Sequence, residues 1–440
     1  MSKVMLARLV SAACLFSVGL LTAQQAPDAT ATARKALDLF LNGKYSEMED
    51  LFAPNLKEQM KLDALAKLGA QVKSWGTPEI GEPAVRAAGT THIVVLPLKF
   101  PSQNINVQMG VNHSGELSGF IMLPATATWQ HPSYSKTGAF QERTVTVGDD
   151  PYKLPGTLTL PSGKGPFPAV VLVHDTGLND RDESVGAVKM FRDLAEGLAS
   201  RGIAVLRYEK RSRVYRSRVT DKPYTANEDT IDDAVSAVEL LRQQPEINGK
   251  RVFVLGHGLG GYLAPRIATA AKANGIIILA STERPLEDVI VEQATHMLGT
   301  PSPNDTPAAA AARTSELNGI KAAAAKVKTL EVADEDQPNM LGLPVAYWVD
   351  LKGYDPIAVA KKLSVPVLIL AGDRDPQVSA QDFNLWKAGL ASQKGASAKS
   401  YPGLNHSFVA GEGRSTDAEY RKPSHAAPEV IEDIANFVGQ

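Results

Sequence analysis

Two residue types that work together in proton transfer stand near each other late in the chain. An aspartate pair, Asp373 and Asp375, lies in AGDRDPQV, after the apolar run Pro366–Ala371. His406 lies in YPGLNHSF, after the short strand-like run Ala398–Tyr401. A carboxylate beside an imidazole fixes its tautomer and supports it as a general acid or base. A third segment, VFVLGHGLGGYLAPRIA from Val252 to Ala268, reads as a buried strand, a sharp glycine-rich turn and a helix. Gly256, Gly260 and Gly261 keep strand and helix close, and a residue at the apex of such a turn has a strained backbone. The apex residue is Gly258, which tolerates that backbone but carries no nucleophile.

A fourth segment, LVHDTGLNDRDES from Leu172 to Ser184, follows another apolar strand and holds His174, Asp175 and Thr176. The eight histidines are otherwise scattered without ligand spacing, so no metal is expected. No G-x-G-x-x-G follows a first strand, so no dinucleotide or other cofactor is expected. GHGLGG does join a strand to a helix, the setting of a phosphate loop, but Asp375 and His406 downstream point to acid–base chemistry instead.

The elements that must position these residues alternate. Strands are expected at Arg143–Val147, Leu154–Leu160, Pro168–His174, Ile203–Tyr208, Arg251–Gly256, Gly275–Ala280, Pro366–Ala371 and Ala398–Tyr401. Helices are expected at Val185–Arg201, Thr230–Gln244, Leu259–Asn274, Ala380–Leu390 and Pro428–Val438. Continuously apolar strands such as AVVLV, Ala169–Val173, belong in a parallel sheet covered on both faces. The expected fold class is therefore α/β, a doubly wound, mostly parallel sheet over residues 141–440. Ser281–Ser364 is far too long for one crossover. It reads as a helical lid, about 282–350, with helices at Leu286–Leu298 and Pro307–Val327, the second capped by Thr306.

Residues 29–123 read as a separate small α+β domain. Helices are expected over Ala31–Phe52 and Leu56–Val72, followed by strands at Thr91–Phe100, Asn104–Val111 and Leu117–Met122. Asn112-His113-Ser114-Gly115 is the turn between the last two. The Pro-, Ser- and Thr-rich stretch 124–140 reads as a linker. Residues 1–23 read as a signal peptide, with Lys3 and Arg8 before the apolar run Leu9–Leu21 and a small-residue cleavage site after Ala23. Export to the periplasm or outside the cell is expected, with no stable membrane insertion after cleavage, because the run falls short of the ~20 residues of a span. Cys14, the single cysteine, lies inside that segment, so the mature chain has neither disulfide nor thiolate. A net charge of −2 on 440 residues gives no basic excess for nucleic acid, and no signature of a particular oligomeric state is present.

These four motifs together resemble the α/β-hydrolases, in particular exported bacterial esterases related to dienelactone hydrolases and acyl-peptidases that carry a small N-terminal domain. The resemblance covers nearly the whole mature chain. It implies carboxylic-ester hydrolysis, with a small-molecule ester or acyl compound as substrate. It places Gly258 at the nucleophile position, where the family has serine, and assigns Asp375 as the acid and His406 as the base. Thr176 and Leu259 supply backbone oxyanion donors, and His174, Asp175 and His257 line the site. Asp175 departs from the family as well, standing where the loop has glycine. A carboxylate there opposes the charge an oxyanion hole stabilises, unless it turns to solvent or pairs with Arg181 or Arg211. The resemblance gives Asn179, Asp180, Arg181 and Asp182 a structural role in anchoring the loop.

Losing the serine of such a triad costs about 10⁶ in turnover. Three outcomes follow for this chain. In the first, hydrolysis is weak or altered, His406 and Asp375 activating a water in the space left by the serine. In the second, the lidded pocket binds an acyl or aromatic ligand without turnover. In the third, another hydroxyl, Thr176 or Ser281, replaces the serine.

Overall fold

The structure, a computed structural model, describes residues 28–88, 91–101, 103–125, 129–215, 223–299 and 306–440. The expected signal peptide and Cys14 lie outside these residues. The chain forms two compact units, Met1–Thr126 and Ala127–Gln440.

In the first unit the antiparallel strands β1 (Glu79–Ile80), β3 (Thr91–Lys99), β4 (Asn104–Asn112) and β5 (Leu117–Pro124) form a sheet in the order β1-β3-β4-β5, and β2 (Ala84–Ala88) also pairs with β3. Alternation along β3 buries Val94, Leu96 and Leu98 against Leu37, Phe40 and Leu65 of the helices. Each long helix expected here is two helices. Ala29–Leu41 ends at Asn42-Gly43, where Gly43 takes φ +74°, and Tyr45–Glu49 follows. Pro54–Gln59 stops at Met60, which is extended, before Leu62–Lys73. β1 and β2 were not expected. Glu79, Ile80, Ala84, Val85 and Arg86 are exposed, which leaves no buried alternation to read.

The second unit holds an eight-stranded sheet. Its strands are β6 (Phe140–Val147), β7 (Leu154–Pro161), β8 (Phe167–Val173), β11 (Ala204–Tyr208), β12 (Ile247–His257), β13 (Ile276–Leu279), β14 (Val367–Gly372) and β15 (Ala396–Tyr401), ordered β15-β14-β13-β12-β8-β11-β7-β6. All pairs from β15 to β11 are parallel, while β7 and β6 complete the sheet antiparallel. Successive side chains of β8 and β12 enter opposite cores. Val171 and Val254 pack with helices Asp232–Arg242 and Leu259–Ala271. Val170, Leu172 and Leu255 pack with helices Met190–Ala199 and Pro428–Gly439. That is the doubly wound arrangement expected from the apolar strands.

Two local expectations change. The helix expected from Val185 starts at Met190, because β9 (Ser184–Val185) and β10 (Val188–Lys189) form a small hairpin around Gly186, at φ +61°. The stretch expected as a linker is packed in its later part. Trp129 Nε1 donates to Asp193 at 2.8 Å, Ser135 Oγ to Glu196 at 2.7 Å and Tyr134 Oη to the Ala426 carbonyl at 2.8 Å.

Between β13 and β14 the insertion has its two expected helices, Leu286–Leu298 and Pro307–Val327, and Thr306 Oγ1 accepts the cap bond from Ala309 N–H at 3.2 Å. A small core of Val327, Leu330, Val345 and Trp348, with Leu286 and Ile290 against it, holds this insertion together.

Candidate active site

Because β8, β12, β14 and β15 are parallel, the loops that follow them leave from one edge of the sheet, where open α/β folds carry their sites. The turn after β12 is as tight as its glycines imply. A Cβ on Gly256 would stand 2.1 Å from the Gly260 carbonyl oxygen, and one on Gly260 would stand 2.3 Å from that of Val173. Gly258 itself has φ +50° and ψ −114°, the strained backbone expected at the apex. Its N–H donates to Leu279 O at 3.0 Å, and its carbonyl accepts from Ser281 Oγ at 2.7 Å.

His406 and Asp375 meet as the motif order implies. His406 Nδ1 lies 2.7 Å from Asp375 Oδ2, with both side chains buried. The other carboxylate oxygen accepts from Gln377 and Val378 N–H groups at 2.7 and 3.0 Å, so the acid is held rigidly. Asp373 points elsewhere and accepts from Gly403 N–H at 2.6 Å.

The decisive group is Asp175. It neither turns away from the site nor pairs with Arg181 or Arg211. Those arginines are engaged with Glu209 and Asp233. Asp175 Oδ2 faces His406 Nε2 at 3.3 Å, and Asp175 Oδ1 accepts the Leu259 N–H at 2.7 Å. A Cβ on Gly258 would fall 2.0 Å from Asp175 Oδ1 and 2.2 Å from its Cγ. The carboxylate therefore fills the space a serine side chain would take, and it holds one of the two expected oxyanion donors. The space expected to admit a water beside His406 is not empty.

The charges agree with this contact. Burial would raise the Asp175 carboxyl, but the His406 hydrogen bond and charge outweigh it and hold that carboxyl well below the ordinary carboxylate range. Burial would lower His406, yet Asp375 and Asp175 together lift it well above the ordinary imidazole value. Both shifts favour an imidazolium facing the Asp175 carboxylate.

Behind this pair, Glu183 Oε1 accepts the Asp175 N–H at 2.7 Å. Its Oε2 lies 2.9 Å from His257 Nδ1, without hydrogen-bond alignment. His257 Nε2 meets the His406 carbonyl at 3.0 Å, and the two rings lie 4.4 Å apart. Lys210 Nζ donates to the Asp175 carbonyl at 3.0 Å and pairs with Asp229 at 3.3 Å. Asn179 Nδ2 bridges the carbonyls of Asp175 and Thr176, Asp180 Oδ1 accepts from Asp182 and Ser184 N–H, and Asp182 pairs with Lys189. This is the charge network expected to anchor the loop.

A cavity of about 480 Å³ opens over Gly258, Asp175 and His406. Thr176 and Leu259 line it, together with Leu178 from the loop and Leu286, Ile290, Leu343 and Trp348 from the insertion. Its size and apolar walls suit a small organic ligand. Two residues expected to line the site do not. His174 is buried behind the loop between Phe191 and Tyr208, with burial lowering it to about 4, and His257 lies beneath His406. Neither hydroxyl expected to stand in for serine meets His406. Ser281 is buried, with Oγ on the Gly258 carbonyl, and Thr176 is exposed at the cavity wall. Asp175, His257 and His406 also bring ligand-type atoms within 4.8 Å of one another. Each of these atoms already faces an internal partner, so a metal would have to displace those contacts.

Sequence reasoning missed the partnership of Asp175 with His406. Its signal was present: two departures from one pattern, a lost serine and a gained aspartate, on loops that leave adjacent strands.

The fold, the elbow and the acid–base pair define an α/β-hydrolase. The profile of the alpha/beta hydrolase family matches residues 170–415, and the chain belongs to that family. It is 37% identical to esterase EstD of Thermotoga maritima over 344 residues, 78% of each chain. Among solved structures it resembles Est1E from Butyrivibrio proteoclasticus, with 16% identity, a TM-score of 0.43, and 68% of this chain and 99% of that one covered. It also resembles the dienelactone hydrolase-like promiscuous phosphotriesterase P91 from metagenomic libraries, with 17% identity, a TM-score of 0.39, and 69% and 98% covered.

Proposed function

We propose that this chain hydrolyses small carboxylic esters or acyl compounds by an altered route, because Gly258 supplies no serine. One observation carries the reading. The His406–Asp375 pair stands at 2.7 Å beneath a lidded apolar cavity. A relative named an esterase, sharing 37% identity over most of both chains, supports it. The basic start and apolar run of residues 1–23 support export before the enzyme acts. The test is p-nitrophenyl acetate hydrolysis by the mature protein beside His406→Ala. A fall of at least about 100-fold, the usual worth of general acid–base catalysis, supports the reading. Equal rates in the two proteins overturn it.

A second reading is favoured by the Leu259 N–H, which Asp175 already occupies. On that reading the cavity is a non-catalytic binding site for an acyl or aromatic molecule. Calorimetry with phenylacetate would then give heat of binding, while the ester assay gives no turnover that depends on His406.

A further inference from the structure

The missing hydroxyl and the added carboxylate occupy one position. Asp175 Oδ1 and Cγ stand 2.0 and 2.2 Å from where a side chain on Gly258 would begin. The carboxylate lies 3.3 Å from His406 Nε2, where a serine triad has its hydroxyl. It borders the cavity and its side chain keeps 19% of its exposure, so a substrate can reach it. Carboxylates serve as covalent nucleophiles in other enzymes. Resting on the ester-hydrolase reading above, we infer that Asp175 is the nucleophile of this site, attacking esters of acidic alcohols such as phenols.

The chemistry balances with the groups present. Asp175 Oδ2 bonds to the acyl carbon of the ester. The bond from that carbon to the alcohol oxygen breaks, and its electron pair leaves on the oxygen, which takes the Nε2 proton of His406. This leaves a mixed anhydride on Asp175 and a neutral imidazole. His406 then takes a proton from water as the water oxygen attacks Asp175 Cγ. The Leu259 N–H, already on Oδ1, stabilises the oxyanion that forms there. The Oδ2–Cγ bond breaks, and the acyl group departs as a carboxylate carrying the old Oδ2. Asp175 ends as a carboxylic acid with one oxygen from water, and it releases its proton to solvent.

Two features fix the substrate class. A carboxylate is a weaker base than a serine alkoxide, so it expels leaving groups that are themselves weak bases. Asp375 and Asp175 face the two ring nitrogens of His406 at 2.7 and 3.3 Å, a placement that favours an imidazolium able to donate to that leaving group.

A single turnover in H₂¹⁸O tests the inference. Excess wild-type protein is mixed with p-nitrophenyl acetate, and both the acetate and the peptide holding Asp175 are weighed by mass spectrometry. Asp175 is expected to gain 2 Da, with the acetate unlabelled. Label in the acetate and none in Asp175, with no acetylated Asp175 peptide in acid-quenched samples, overturns the nucleophile while leaving the hydrolase reading intact. No turnover that depends on His406 overturns both. Asp175→Ala is expected to lose at least about 100-fold in rate, and a smaller loss counts against the inference.

Discussion

At the scale of single residues, position 258 is answered by position 175. Restoring the family serine by Gly258→Ser alone is therefore expected to fail, since its Cβ meets the Asp175 carboxylate at 2.0 Å. The double change Gly258→Ser with Asp175→Gly removes that collision and frees the Leu259 N–H. Labelling by a fluorophosphonate is expected at position 258 in the double variant and absent from the wild type and from either single variant. Strong labelling of Gly258→Ser alone would show that Asp175 moves aside freely. The pH profile separates the two chemistries. His406 is faced by Asp375 and Asp175 from two loops, by the His257 ring and by Tyr420. Its folded value is raised, so the protonated form persists from acid pH through neutrality and is lost only as pH climbs through that raised value. Asp175 is depressed, so it stays ionised until well into acid. Wild-type turnover should be flat around neutrality and fall on the alkaline side. The double variant needs neutral imidazole and should rise with pH over the same range. A wild-type rate that rises through neutrality would contradict protonated His406 as the working form.

Elements hold these residues through few contacts, and their edges were the least legible part of the chain. The apolar runs within β8, β12, β13 and β14 were evident in the sequence because both faces are buried there. The β9–β10 hairpin was hidden, because two-residue strands leave no period to read. So was the break at Gly43, where one left-handed residue interrupts an otherwise helical pattern. Asp375, His406 and the elbow were legible from motif and order. The direction of the Asp175 side chain was not, since it depends on Glu183 across the loop, itself at φ +49°. Glu183→Ala removes the acceptor of the Asp175 N–H and the charge beside His257. A loss of about 1–3 kcal/mol in urea unfolding is expected, the cost of a buried polar group left without its partner. The hydrolysis rate should fall with it, as Asp175 is no longer fixed. Unchanged stability would mean that the loop is held without Glu183, by Asn179, Asp180, Asp182 and Lys210.

At the scale of the whole molecule, the insertion between β13 and β14 supplies Leu286, Ile290, Leu343 and Trp348 to the cavity wall. Ile290 faces the cavity yet sits outside the main core, so its truncation tests the lid without unfolding the sheet. Ile290→Ala is expected to raise KM for p-nitrophenyl butyrate by roughly tenfold while kcat stays near wild type, because only apolar ground-state contact is lost. A fall in kcat alone would instead assign the lid to the chemistry. Among the described residues no helix is long and apolar enough to cross a membrane. The overlap of a side chain at 258 with the carboxylate at 175 has a consequence for descent. Losing the serine first leaves a vacancy, and gaining the aspartate first leaves a collision. A lineage passing from one chemistry to the other must cross a defective ancestor or change both codons together. Related sequences should therefore divide into two camps, serine paired with glycine or glycine paired with aspartate, with the mixed pairings nearly empty.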